Sequence, residues 1–202
     1  MIAICDYGAG NLLNVYKALQ HLGAACSVTS DPTEITKAQA VILPGVGAFG
    51  DAMKEIHKRG LYDVLRKAAD GNKPFLGICL GLQLLFSKSE ESPGVKGLCV
   101  LPGEVKRFPM TDRKVPHMGW NDITIRPGTT PVFDGVTDGT FVYFVHSYYC
   151  VCKEENDVSA TTEYGIRYHS AAARGLLTAT QFHPEKSGEA GLLILENFVK
   201  SV

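Results

Sequence analysis

The order of apolar segments predicts an α/β fold: a mixed sheet with a parallel core and antiparallel additions. Three observations carry that expectation. In the first half, strand-like and helix-like patterns alternate, the rhythm that produces parallel pairing through right-handed crossovers. In the second half, strand-like runs follow one another across turns, which favours antiparallel pairing. The 202 residues are 45% hydrophobic and 20% charged, a balance that suits a medium-sized folded domain needing no disulfide or metal for stability.

Residues 2–5 form a short apolar strand ended by the turn Tyr7-Gly8-Ala9-Gly10. Leu12, Val15, Tyr16, Leu19 and Leu22 then recur at helical spacing, and Gly23 stands where a C-terminal cap belongs. Residues 24–29 read as the second strand and Ser30-Asp31-Pro32 as a turn. Residues 40–43 form a third strand, stopped by Pro44-Gly45-Val46-Gly47, and a helical pattern runs on to about Leu65 with Gly60 interrupting it. The fourth strand, residues 74–78, passes without a loop into Cys79 and an apolar helix over 80–86. Beyond it, residues 98–101, 104–108, 122–125, 141–145 and 158–162 read as strands joined by turns. Residues 177–182 are a late strand and 192–199 a closing helix. No repeat, low-complexity tract or linker divides this series, so one domain over residues 1–202 is expected.

Composition narrows the function. The net charge is -1 with no Lys/Arg block, which argues against a nucleic-acid partner held through phosphates. No secretion signal and no apolar run of about 18 residues is present, so a soluble cytoplasmic protein with no membrane partner is expected. Cys5, Cys26 and Cys99 lie in apolar stretches that read as buried strands, where thiols behave as small hydrophobes. Cys150 and Cys152 alternate along a strand and share a face. No Cys/His set has paired zinc-ligand spacing, so neither a disulfide framework nor a metal is expected. Gly8-x-Gly10 after the first strand lacks the third glycine of the dinucleotide fingerprint, and no cofactor is expected.

The sharpest chemical feature is Gly77-Ile78-Cys79-Leu80-Gly81 between an apolar strand and an apolar helix. A nucleophile on such a tight turn needs small neighbours on both sides, the logic of the nucleophile elbow with sulfur in place of oxygen. The helix start behind Cys79 favours thiolate, and the Leu80 N–H is directed at a developing oxyanion. A structural thiol between packing glycines is the competing interpretation. Gln83 is the lone polar side chain in its apolar helix, four residues after Cys79 and so on the same face. It needs a partner, either a backbone group or a bound substrate. His183 and Glu185 are two apart in an extended segment, which lets both side chains reach one side. The pair suits a proton-transferring imidazole oriented by a carboxylate, although His-x-Glu alone is commonly a solvated strand end.

Taken together, the elbow, Gln83 and Phe182-His183-Pro184-Glu185 resemble the triad-type (class I) glutamine amidotransferases. The resemblance implies a three-layer, flavodoxin-like fold and a Cys79–His183–Glu185 triad that hydrolyses glutamine through a thioester. Further segments resemble the glutaminase subunits of imidazole glycerol phosphate synthases: residues 6–12, Pro44-Gly45-Val46-Gly47, Pro116-His117-Met118-Gly119-Trp120-Asn121, residues 144–148 and residues 183–187. This implies that Val46 and Gly47 lie in an oxyanion strand and that Gln83, Ser147 and Tyr148 line the glutamine pocket. It departs from many relatives in carrying Gly45-Val46 where they have Gly-Gly. The implied partner is a (β/α)8-barrel cyclase subunit, bound as a heterodimer and fed with ammonia. The docking face would include Asn11, Asn14, Met118, Trp120, Tyr143 and Lys186. A glutaminase serving another synthase, a free-standing cysteine hydrolase and a non-catalytic interaction protein are the alternatives. The Pro-Gly-Val-Gly and Pro-His-Met-Gly-Trp-Asn segments disfavour the first, and the complete Cys/His/Glu set disfavours the last.

Overall fold

The computed structural model describes residues 1–109 and 113–202. Its first half follows the expected rhythm: β1 (Ile2–Cys5), α1 (Leu12–His21), β2 (Cys26–Thr29), α2 (Pro32–Lys37), β3 (Ala40–Gly45), α3 (Phe49–Lys58), α4 (Tyr62–Lys67), β4 (Phe75–Cys79) and α5 (Leu80–Leu84). The second half adds β5 (Gly103–Arg107), β6 (His117–Asp122), β7 (Thr124–Ile125), β8 (Phe141–His146), β9 (Tyr148–Cys152), β10 (Val158–Glu163), β11 (Arg167–Arg174), β12 (Leu177–Thr180) and α6 (Gly188–Lys200).

A ten-stranded sheet runs β2-β1-β3-β4-β12-β11-β10-β7, with β9 and β5 attached at β11. The first five strands pair in parallel and the rest antiparallel. The late strand β12 therefore joins the parallel core beside β4, with Thr180 level with Ile78. Strands of this core bury both faces. In β1, Ala3 and Cys5 face one hydrophobic cluster and Ile2 and Ile4 the other. The first cluster takes Ile35 of α2, Phe49, Met53 and Ile56 of α3 and Leu65 of α4. The second takes Val15 and Leu19 of α1 and Ile194, Leu195 and Phe198 of α6. Helices on both faces complete the three layers, each large buried apolar side chain contributing about 1.5–3 kcal/mol of transfer free energy.

Four local expectations are corrected. Ser30-Asp31-Pro32 is not merely a turn: Asp31 caps α2 by accepting from Thr33 N–H at 2.7 Å, with Pro32 at the first helical position. Residues 98–101 form no strand, and Cys99 is exposed with φ 55°. The segment lacks ladder pairing because it folds back against α5, where Leu98 N–H and Val100 N–H bond the Leu84 and Leu85 carbonyls. Residues 141–145 do not join the main sheet: β8 pairs with β6 in a separate two-stranded sheet. Residues 122–125 divide, Asp122 ending β6 and Thr124–Ile125 forming β7. Among the described residues, no helix is long and apolar enough to cross a membrane, and no cluster of His, Cys, Asp or Glu could hold a metal ion.

Candidate active site

Strand β4 is buried along its whole length and ends at Cys79, whose backbone takes φ 55° and ψ -105°. A side-chain-bearing residue in this region costs on the order of 1–3 kcal/mol and persists only where packing over-determines it. The two flanking glycines supply that packing. A Cβ on Gly81 would collide with the Leu43 carbonyl, and one on Gly77 would press to 3.0 Å from Ala179 and 3.1 Å from the Gly81 backbone. The elbow is held by close contact of β3, β4, β12 and α5, as the spacing of glycines predicted.

Gln181 and His183 follow β12 on the side of Cys79. Gln181 is fully buried, and its Nε2 lies 3.7 Å from Cys79 Sγ, while its Oε1 accepts from Gln83 Nε2 at 3.2 Å. Gln83 Nε2 also reaches the Tyr148 carbonyl at 3.2 Å. The polar partner that Gln83 requires is therefore found within the protein.

His183 Nδ1 lies 2.8 Å from Glu185 Oε1, with both side chains almost wholly buried. The segment is not extended. Pro184–Lys186 is a 3-10 turn with His183 as its N-cap, and the turn, not strand alternation, folds Glu185 back onto the imidazole. A carboxylate oxygen can only accept from the ring, so Nδ1 carries the proton and Nε2 faces the nucleophile's side. Nε2 is buried and makes no hydrogen bond, as does Glu185 Oε2. Burial lowers the His183 pKa, but the neighbouring Cys79 and Glu185 side chains outweigh it and raise it to about 9.

A cleft of about 360 Å³ opens over Cys79. Val46, Gly47, Leu80, Gln83, Ser147 and Tyr148, all singled out in the sequence, line it together. Glu91, Pro116, Val145 and His146 line it too. Glu91 was missed. It comes from a surface loop, where its Oε2 caps α3 by accepting from Phe49 N–H at 2.7 Å, and no periodicity marks such a residue. Val46 is exposed and keeps out of the left-handed region, since Cys79 and Cys99 are the only non-glycine residues with positive φ among those described. Below it Tyr7 is fully buried with an unpaired hydroxyl, packed so closely that a Cβ on Gly45 would strike it.

Of the residues expected at a docking face, Tyr143 and Lys186 lie beside His183. Met118 and Trp120 are 62% and 55% exposed on β6. Trp120 meets Tyr143 edge-on at 6.2 Å, and Lys186 Nζ lies 5.7 Å over the Tyr143 ring. The Tyr143 backbone carbonyl accepts from His183 N–H at 2.9 Å. Asn14 borders the same hollow as Glu185 and Lys186. Asn11 is the N-cap of α1, yet its side chain makes no capping bond.

Behind the cleft, burial lowers the pKa of His117 to about 4 and of His146 to about 3. The unfolded chain binds these protons near pH 6.5 and the folded chain resists them. Their contribution is fully present above pH 6.5 and is lost as pH falls toward 4. His183 acts oppositely: its contribution is present below pH 6.5 and lost as pH rises through 9. Thermal unfolding should therefore show maximal Tm near pH 6.5 and a fall of at least about 5 °C by pH 4.5. A flat Tm across that acid window would contradict the buried neutral pair.

The sequence matches the family described as glutamine amidotransferase class-I over residues 3–202. It is 57% identical over 198 residues to the imidazole glycerol phosphate synthase subunit HisH of Moorella thermoacetica, covering 98% of this chain and 93% of the relative. Identity to the HisH subunit of Chloroflexus aurantiacus is 48% over 202 residues, covering 99% and 95%. Among solved structures, a glutamine amidotransferase superposes with a TM-score of 0.73 at 21% identity, covering 98% of each chain. PurLQS from Thermotoga maritima gives 0.73 at 18%, covering 98% and 97%. At such identities these two bear on the fold alone.

Proposed function

The chain belongs to the class-I glutamine amidotransferases, and within them to the HisH subunits of imidazole glycerol phosphate synthase, enzyme subunits of histidine biosynthesis; from that premise we propose a Cys79 thioester mechanism that supplies ammonia to a barrel cyclase. The observation that carries it is the buried Cys79, His183 and Glu185 set beneath a cleft of substrate size. Cys79 Sγ attacks the side-chain amide carbon of glutamine. His183 gives its proton to the departing nitrogen, and ammonia leaves as the thioester forms. Water then loses a proton to His183 and attacks the thioester, releasing glutamate and restoring the sulfur. Glu185 keeps the imidazole in the tautomer this needs. Leu80, Val46 and Gly47 supply backbone N–H groups for the oxyanion. Ser147, Tyr148 and Gln83 wall the pocket, and the Glu91 carboxylate suits the α-ammonium of glutamine.

A glutaminase that feeds synthesis profits from docking, because free ammonia is lost by diffusion and protonation. The exposed Met118 and Trp120, together with Tyr143, Lys186, Asn11 and Asn14, would suit a heterodimer interface with the (β/α)8-barrel cyclase, Trp being an interface anchor residue. The chain would act in the cytoplasm. Mixing it with that cyclase should give a stable complex and faster glutamate release from glutamine. No complex formation, together with full activity of the isolated chain, would favour the free-standing hydrolase.

Val46 sets the basal rate in this reading. Turning the Gly45–Val46 peptide so that its N–H enters the oxyanion site requires a β-branched residue at positive φ, at a cost of about 1–3 kcal/mol. That is roughly a 5- to 150-fold penalty on the competent state. Val46→Gly should raise basal hydrolysis and shrink the stimulation by the cyclase's nucleotide ligand. An unchanged ratio of stimulated to basal rate would assign activation to domain closure at Lys186 and Trp120 instead.

A further inference from the structure

His117 and His146 pair across β6 and β8 in the buried space behind the cleft. Their four ring nitrogens are all engaged. His146 Nδ1 lies 2.7 Å from the Tyr148 carbonyl. A carbonyl only accepts, so His146 carries its hydrogen on Nδ1 and offers Nε2 as an acceptor. At the other end, the Asn121 amide is fixed by two bonds: Oδ1 accepts from Asp122 N–H at 3.0 Å and Nδ2 donates to the Glu163 carbonyl at 2.9 Å. Nδ2 is also 3.4 Å from His117 Nε2. A donor facing that nitrogen makes Nε2 the acceptor and puts the His117 hydrogen on Nδ1. The two ends agree at the middle: His117 Nδ1–H points at His146 Nε2, 3.2 Å away. Tyr168 hydroxyl braces the junction at 3.1 and 3.2 Å.

We infer that His117 and His146 are positioning residues, forming a one-way hydrogen-bond relay from Asn121 that sets the Tyr148 carbonyl in the glutamine cleft. Beyond Tyr148 the chain of contacts continues through Gln83 and Gln181 to Cys79 Sγ. The relay begins on β6, the strand that also carries exposed Met118 and Trp120, and ends on the substrate strand. Although His146 borders the cleft, neither of its nitrogens is left for substrate, so it acts through Tyr148. Both rings being neutral near pH 7 keeps one hydrogen per ring, as the relay requires.

This assignment rests on the glutaminase reading, and its test separates the two. Nitrogen-15 NMR of histidine-labelled protein at pH 7 should show the Nδ1–H tautomer at both residues, whatever the reaction. An Nε2–H tautomer at either would overturn the relay. In the complex with the cyclase, His146→Asn keeps a donor at the Nδ1 position and His146→Gln moves it to the Nε2 position. His146→Gln should raise KM for glutamine about tenfold with little change in kcat, whereas His146→Asn stays within about threefold of the parent. His117→Gln should raise KM in the same sense, and combining it with His146→Gln should add nothing further, since both break one chain. Equal KM for the Asn and Gln variants at matched Tm, or multiplying effects in the double variant, would overturn the proposal. A parent complex that releases no glutamate would instead bring down the glutaminase reading, with the tautomers still standing.

Discussion

Cys79→Ala should lower glutamine-dependent synthesis by at least about a thousandfold, while synthesis supplied with ammonium salt survives. The reason is visible in how little else the sulfur does. Apart from raising the His183 pKa, its contacts are long ones, 3.7 Å from Gln181 Nε2 and 4.0 Å from the Val145 carbonyl. Alanine keeps the Cβ and hence the same strained φ of 55°. The elbow, its glycine contacts and the exposed Met118 and Trp120 remain as they were, and only the nucleophile is gone. Steady-state assays of the complex with glutamine and with ammonium salt separate the two activities. Substantial glutamine turnover by Cys79→Ala would end the thioester mechanism.

The second large effect separates His183 from Glu185. His183→Ala should be nearly inactive, with a loss again of about a thousandfold or more, because the imidazole moves protons in both half-reactions. Glu185→Gln should retain measurable activity. Its Oε1 equivalent can still accept from Nδ1 across the 2.8 Å contact, so the ring keeps its orientation but loses a counter-charge. The His183 pKa should accordingly fall from about 9, which an NMR titration of the ring reads directly. Equal losses in the two variants would show that the orienting role is wrongly assigned to Glu185.

Much of this protein is determined by its sequence alone. The alternation through residues 2–79 is local: apolar runs too short for helices, separated by helical periodicity and stopped by glycine, translate into β1 to β4 and their crossovers. The elbow is also local, because glycine at positions 77 and 81 is a demand of the turn itself and of backbones pressed against it. What escaped has separate causes. β11 is missed because Arg167–Arg174 is alanine-rich and buried on both faces in its middle, so it has neither alternation nor β-branched content. β6 is hidden because, after the buried His117, Met118 to Asp122 are only exposed or half-buried, on a small separate sheet. The 3-10 turn at Pro184–Lys186 puts Glu185 against His183 by folding back, where the sequence suggested extension.

Only the tertiary structure decided who stands next to whom around the site. Gln181 meets Gln83 across 98 residues and Cys79 across 102, and His117 meets His146 across 29. Such pairings leave no trace in local pattern. Each of these side chains is polar and buried, so each needs a partner, and the sequence states that need without naming who fills it. The fold answers by setting β12 beside β4 and β6 beside β8, because parallel and antiparallel pairing of distant strands is fixed by packing the whole sheet, not by any one segment.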